Sequence, residues 1–209
     1  MALISYRIDR DGAERLLFLF HGWSAEQHHL AAYVPLVDPA ERFTAVCPRA
    51  PDDLPEGDGA SWYERRPEGP EPMSFTAALD SVADLVSREA SAAGVLLERC
   101  VVGGFSQGGF LALALVGRPG APRYAGVWAM CCGLPEVEGL ELDLSGGDRR
   151  PALVQVGERD PIIVPERGRA AAQALDDGGW NVRVEGYDMA HSQTIEMMVD
   201  AREWLSSVG

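Results

Sequence analysis

Five consecutive apolar residues, Leu16-Leu17-Phe18-Leu19-Phe20, leave no polar position on either face, as a strand covered on both sides requires. Residues 43–47 repeat this pattern more weakly, and Pro48 and Pro51 stop it. Phe75, Leu79, Val82, Val86 and Ala90 then recur at steps of three and four, which predicts one amphipathic helix ending near Gly94. A strand over 99–103 leads into an apolar helix over 107–116, and further strands are expected over 124–130 and 152–156. Pro165 opens a helix that stops near Gly178-Gly179; residues 181–187 alternate as a strand, and 192–205 make a closing helix. Strands alternating with helices imply right-handed crossovers and a mostly parallel central sheet with helices on both faces, an α/β fold.

The longest stretches without a periodic signal are 52–72 and 134–151. Both follow predicted strands, so both are expected at the carboxyl edge of the sheet, where open α/β folds bind ligands. Neither is long enough for a large cap domain, and the site is therefore expected to be shallow and open. No internal repeat interrupts the chain. A length of 209 residues fits one α/β domain over 1–209.

Composition adds limits on partners. An apolar content of 46% and a charged content of 24% are those of a globular chain, and no apolar run reaches bilayer length. The segment from Met1 to Arg7 has no basic stretch followed by an apolar one, so no secretory signal is read and a cytoplasmic location is expected. Eighteen basic residues, all arginine, face 32 acidic ones, for a net charge of −14. Nucleic acids and anionic membranes are thereby disfavoured as partners. Cys47, Cys100, Cys131 and Cys132 lack metal-ligand spacing, and the adjacent pair is ill placed for a mutual disulfide, so all four read as buried reduced thiols.

The chemistry-bearing motif is Gly104-Phe105-Ser106-Gln107-Gly108, set directly between the 99–103 strand and the apolar helix. A serine at a sharp strand-to-helix turn adopts strained backbone angles, and glycine on either side avoids a Cβ collision as the chain doubles back. A bare Gly-x-Ser-x-Gly arises by chance in roughly one such glycine-rich sequence in ten. Its placement between strand and helix is what makes it informative.

A serine hydroxyl needs a base to take its proton, and the base needs a carboxylate to fix its tautomer. Asp160, in Gly157-Glu158-Arg159-Asp160-Pro161, follows the 152–156 strand, and His191 follows the strand ending at Tyr187. The order Ser106, Asp160, His191 is that of α/β-hydrolases. Glu158 and Asp188 compete for the acid role, although Asp188 lies only three residues from the histidine. An aspartate before proline is, by itself, an ordinary turn residue. His28 and His29 fall in a predicted helix and read as solvated.

His21-Gly22-Trp23-Ser24 follows the first strand, where this fold supplies its second oxyanion donor. The backbone N–H groups of Gln107 and Trp23 are the candidate oxyanion hole, with Gly22 allowing close approach.

Together with Ser61-Trp62-Tyr63-Glu64, the serine segment extended to Gly103 and Gly109, the run from Gly157 to Pro165, and Met189-Ala190-His191-Ser192, these motifs resemble the phospholipase/carboxylesterase family of α/β-hydrolases, the branch that includes acyl-protein thioesterases. The resemblance implies an α/β-hydrolase fold with a Ser106-His191-Asp160 triad, and Trp23 and Gln107 as oxyanion-hole backbones. It also implies that the Trp62 segment walls the acyl site, making Trp23, Trp62 and Gln107 the substrate-binding candidates. The implied activity is a serine carboxylesterase on short- to medium-chain small-molecule esters, with no metal or cofactor. Thioester hydrolysis, lysophospholipase, peptidase or acyltransferase chemistry, and non-catalytic ligand binding are the alternatives. Trp23-Ser24 stands where many members carry leucine and glycine, and the indole there shortens or covers the acyl pocket. A homodimer is compatible with such a fold, though no feature demonstrates one.

Two acidic clusters flank this site in sequence: Asp52, Asp53, Glu56, Asp58, Glu64, Glu68 and Glu71, then Glu136, Glu138, Glu141, Asp143 and Asp148. They read either as solvated loops or as a negative rim that turns anionic substrates away.

Overall fold

A computed structural model describes residues 3–55, 57 and 59–209; Glu56 and Asp58 of the first acidic cluster lie outside these, as do Met1 and Ala2. Seven strands form the central sheet: β1 (Ser5–Ile8), β2 (Leu16–Phe20), β3 (Thr44–Pro48), β4 (Cys100–Phe105), β5 (Gly126–Met130), β6 (Pro151–Gly157) and β7 (Asn181–Tyr187). Their order is β1-β3-β2-β4-β5-β6-β7. All neighbours pair parallel except β1, which runs antiparallel to β3 from Ser5 opposite Pro48 to Ile8 opposite Ala45.

Alternate residues of each strand feed two separate cores, as the two-residue period of a strand demands. Leu16, Phe18, Phe20, Val102, Val127 and Val154 face one layer; Leu17, Leu19, Val101, Trp128, Met130 and Leu153 face the other. The first layer is covered by α3 (Pro72–Ala93), α4 (Gln107–Gly117) and α5 (Pro165–Asp177). The second is covered by α1 (Gln27–Ala31), α2 (Val34–Val37) and α6 (Ile195–Ser207).

Helix α3 follows the predicted stripe: Phe75, Leu79, Val82, Val86 and Ala90 are all buried, joined by Ala78 and Leu85. The larger of these side chains contribute about 1.5–3 kcal/mol each on burial. Glu71 caps its start by accepting from the Ser74 N–H at 2.7 Å, and Gly94 ends it at φ 66°. Helix α4 is buried along its whole length, which explains why it shows no apolar–polar period.

β1 is absent from the hydrophobic pattern because it is an edge strand, partly exposed and paired on one side only. The segment 52–72 holds two short ribbons, Asp52–Asp53 with Ala60–Ser61 and Arg65–Arg66 with Gly69–Pro70. The segment 134–150 contains neither helix nor strand. No helix among the described residues is long and apolar enough to cross a membrane.

Candidate active site

Ser106 occupies the turn between β4 and α4 at φ 52° and ψ −117°, a strained conformation for a residue with a Cβ. Its N–H donates to the Met130 carbonyl at 2.9 Å, which ties the turn to the end of β5. Steric space accounts for the flanking glycines. A Cβ on Gly108 would stand 2.0 Å from the Phe20 carbonyl oxygen, and one on Gly104 would stand 2.4 Å from the Gly108 carbonyl carbon. No side chain fits either position without moving backbone.

The acid loop leaves β6 at Gly157, and the histidine loop leaves β7 at Tyr187. A Cβ on Gly157 would meet the carbonyl oxygens of Ala190 and Met189 at 2.8 and 2.9 Å, so glycine lets the two loops pack together. The Arg159 N–H donates to the Met189 carbonyl at 3.0 Å and joins them. Asp160 is thereby brought under His191: Nδ1 of the imidazole lies 2.6 Å from Oδ2 of a carboxylate whose side chain is fully buried. A carboxylate only accepts, so Nδ1 carries the hydrogen and Nε2 of the neutral ring keeps a lone pair. Oδ1 of the same carboxylate accepts from the N–H groups of Ile162 and Ile163 at 2.8 and 2.9 Å. The turn role expected of an aspartate before proline and the histidine contact therefore coexist, one on each oxygen.

The competing acids are engaged elsewhere. Glu158 pairs with Arg169, and Asp188 is exposed and pairs with Arg159 at 2.6 Å. The His191 ring packs against Phe105, the residue that precedes Ser106, with ring centroids 4.8 Å apart. His28 and His29 lie exposed on α1.

Among the described residues, the backbone N–H groups of Trp23 and Gln107 have no hydrogen-bond partner. The loop carrying Trp23 is stitched to the first ribbon by Ser24 N–H to Ala60 O and Ala60 N–H to Ala25 O, both at 3.0 Å. His21 anchors its base. Nδ1 donates to the Gly22 carbonyl at 2.7 Å, Nε2 accepts from the Ala50 N–H at 3.0 Å, and its carbonyl accepts from the Trp62 indole at 2.8 Å. Burial lowers its pKa to about 4.

The other expected contact residues divide by role. Gln107 is buried, and its carboxamide is occupied by the Ser61-Trp62-Tyr63 segment: Oε1 accepts from the Trp62 N–H, and Nε2 donates to Ser61 Oγ and the Tyr63 carbonyl, each at 3.1 Å. The indole of Trp62 is 1% exposed and packs edge-on against Phe20, so the segment walls the site through Tyr63 while Trp62 supports it from behind. Trp23, 47% exposed, stands on the rim with the Arg65 guanidinium 5.9 Å from its ring.

A hollow of about 300 Å³ opens beside Ser106, with Tyr63, Arg65, Arg66, Phe110 and Arg167 in its wall. A wider one of about 650 Å³ shares Tyr63, Arg65 and Arg66 and adds Trp23. The arginines, drawn from one ribbon and one helix, carried no signal in the sequence.

Cys131 Sγ, Asp160 and His191 place potential ligand atoms within 4.8 Å of one another. Burial, reinforced by the nearby Asp160 charge, pushes the Cys131 thiol up to about 12. A metal there would need that thiol ionised and the Asp160–His191 hydrogen bond broken, so the grouping fits hydrogen bonding better than metal binding.

A family model described as Phospholipase/Carboxylesterase matches residues 7–208. Acyl-protein thioesterase 1 of Gibberella zeae is 30% identical over 116 residues, 54% of this chain and 49% of that protein, so the match spans about half the length of that relative. Among solved structures, esterase PE8 superposes with a TM-score of 0.87 at 18% identity, covering 100% of both chains. The Bacillus cereus carboxylesterase does so at 0.85 and 16% identity, covering 99% of this chain and 95% of its own. At such identities the two structures establish the fold, and the family model extends over nearly every strand and helix described above; the chain belongs to the phospholipase/carboxylesterase family of α/β-hydrolases.

Proposed function

We propose that this protein is a serine carboxylesterase acting on short- to medium-chain carboxylic esters. His191 Nε2 takes the proton of Ser106 Oγ as that oxygen attacks the ester carbonyl. The N–H groups of Trp23 and Gln107 hold the oxyanion of the tetrahedral intermediate. Collapse expels the alcohol, which receives the proton from His191 and leaves an acyl group on Ser106. A water deprotonated by His191 then releases the acid. Asp160 holds the imidazole in the tautomer this requires. The observation that carries the reading is the Asp160–His191 pair packed on Phe105, next to a serine held at φ 52°.

The hollow of about 300 Å³ is at the small end of ligand sites, which supports acyl groups of modest length. Thioesters are the second substrate class, favoured by the likeness to an acyl-protein thioesterase. The reading includes a cytoplasmic location, for which four free, buried cysteines speak, and small-molecule substrates in preference to nucleic acid or membranes, for which the charge of −14 speaks.

The test is covalent labelling by a fluorophosphonate probe together with hydrolysis of p-nitrophenyl esters. Ser106→Ala should abolish labelling and lower kcat by about four to six orders of magnitude. Unchanged hydrolysis by that variant would end the reading.

A further inference from the structure

Seen as sequence, the two acidic clusters suggest a rim that repels anions, but the wall of the hollow beside Ser106 carries Arg65, Arg66 and Arg167 against Glu68 and Glu136. Several carboxylates of the two clusters are occupied locally. Asp53 pairs with Arg49 at 2.5 Å, Glu71 caps α3, and Asp148 pairs with Arg123 at 2.5 Å.

Of the three arginines in the wall, Arg66 is engaged by two carboxylates, Glu64 at 3.1 Å and, more loosely, Glu71 at 3.7 Å. Arg65 has no carboxylate partner among the described residues, and its guanidinium lies near the Trp23 ring instead. The Arg167 guanidinium lies 5.3 Å from the Phe110 ring centroid, and its contact with Glu136 is a loose 3.4 Å to a carboxylate whose side chain is 86% exposed. An exposed pair of that kind is worth about 0–1 kcal/mol, so another carboxylate displaces Glu136 readily. Cation–π attraction to the two rings favours keeping both guanidinium groups beside the hollow, where an anionic group can reach them. The N-terminal end of α4, at Gln107, opens on the same hollow and adds partial positive charge.

We infer that the preferred substrates of this site are esters that carry a carboxylate of their own, seated in the hollow by Arg65 and Arg167 while the ester carbonyl lies at Ser106. This rests on the esterase reading and narrows it to a substrate class. The acyl or the alcohol part of the ester can bring the carboxylate.

The matched probes are p-nitrophenyl hexanoate and mono-p-nitrophenyl adipate, which differ only in the terminal methyl or carboxylate of the acyl chain. On the alcohol side they are the hexanoyl esters of methyl para-hydroxybenzoate and of para-hydroxybenzoate. In at least one pair the carboxylate ester is expected to have the higher kcat/KM. In that pair Arg65→Gln and Arg167→Gln should each lower the carboxylate-to-neutral ratio about tenfold, with Arg167→Lys retaining part of it. About 0.5 M sodium chloride should narrow the ratio as well. The pair that responds identifies which half of the ester occupies the hollow. Ser106-dependent hydrolysis that favours the neutral ester in both pairs, with ratios indifferent to the arginines, overturns the inference and leaves the esterase intact. Hydrolysis that survives Ser106→Ala overturns the esterase reading, and this inference with it.

Discussion

Asp160 and His191 meet through a single 2.6 Å hydrogen bond, and the carboxylate oxygen that does not face the histidine holds its own loop through two backbone N–H groups. Turn formation and imidazole alignment are therefore properties of one side chain that mutation can separate.

Asp160→Asn keeps a carbonyl oxygen for the Ile162 and Ile163 N–H groups but offers the imidazole an amide donor, which favours the wrong tautomer. Ester hydrolysis should fall about 10⁴-fold while the melting temperature stays near that of the parent. Asp160→Ala loses both functions and should lower activity and also melt several degrees earlier. Equal melting of the two variants would count against the division of labour between the oxygens.

His21 makes the fold sensitive to mild acid. Its pKa is about 4 in the folded protein, where burial disfavours the charged ring, against about 6.5 in the unfolded chain. Between those values the unfolded chain binds the extra proton, so stability is complete above pH 6.5 and is lost as the pH falls toward 4. The expected loss is about 2 kcal/mol between pH 8 and pH 5, above the range where most carboxylates titrate. Urea unfolding at both pH values measures it. His21→Gln should start less stable and lose much less over the same interval.

The Gln107 carboxamide clamps the segment that carries Tyr63 into the wall of the hollow. Gln107→Ala leaves the Trp62 N–H without its buried partner and the Tyr63 carbonyl with the Ser61 hydroxyl alone. It should destabilise the protein by about 1–3 kcal/mol and lower kcat/KM for esters. If thermal melting and ester kinetics were both unchanged, the clamp would have no role.

The thiols should be inert in the folded state. Burial pushes Cys47, Cys100 and Cys131 up to about 12 and Cys132 higher still, with the Asp160 charge adding to the effect on Cys131. Ellman's reagent at about pH 8 should react at least a hundredfold more slowly with the native protein than with free cysteine, and release four equivalents after unfolding. A native thiol reacting at the free rate would contradict the packing around it.

Continuous or regularly spaced apolar positions were enough to place β2, β4, α3 and the strands that follow, because a buried strand or helix face writes its period directly into neighbouring residues. The elbow at Ser106 was equally legible, since the two glycines it requires, Gly104 and Gly108, fall within five consecutive residues, although the backbone that demands them includes Phe20 on the neighbouring strand. β1 left no such record, because an edge strand buries too little to need a pattern. Loop position after β6 was enough to single out Asp160 in the sequence, whereas its 2.6 Å contact with His191, the pairing of Glu158 and Asp188 with arginines, the support that Trp62 gives from behind Tyr63, and the cationic wall of the hollow came only with tertiary structure. Each depends on which loops converge at the end of the sheet, and a count of charges along the chain put acid where folding set Arg65 and Arg167.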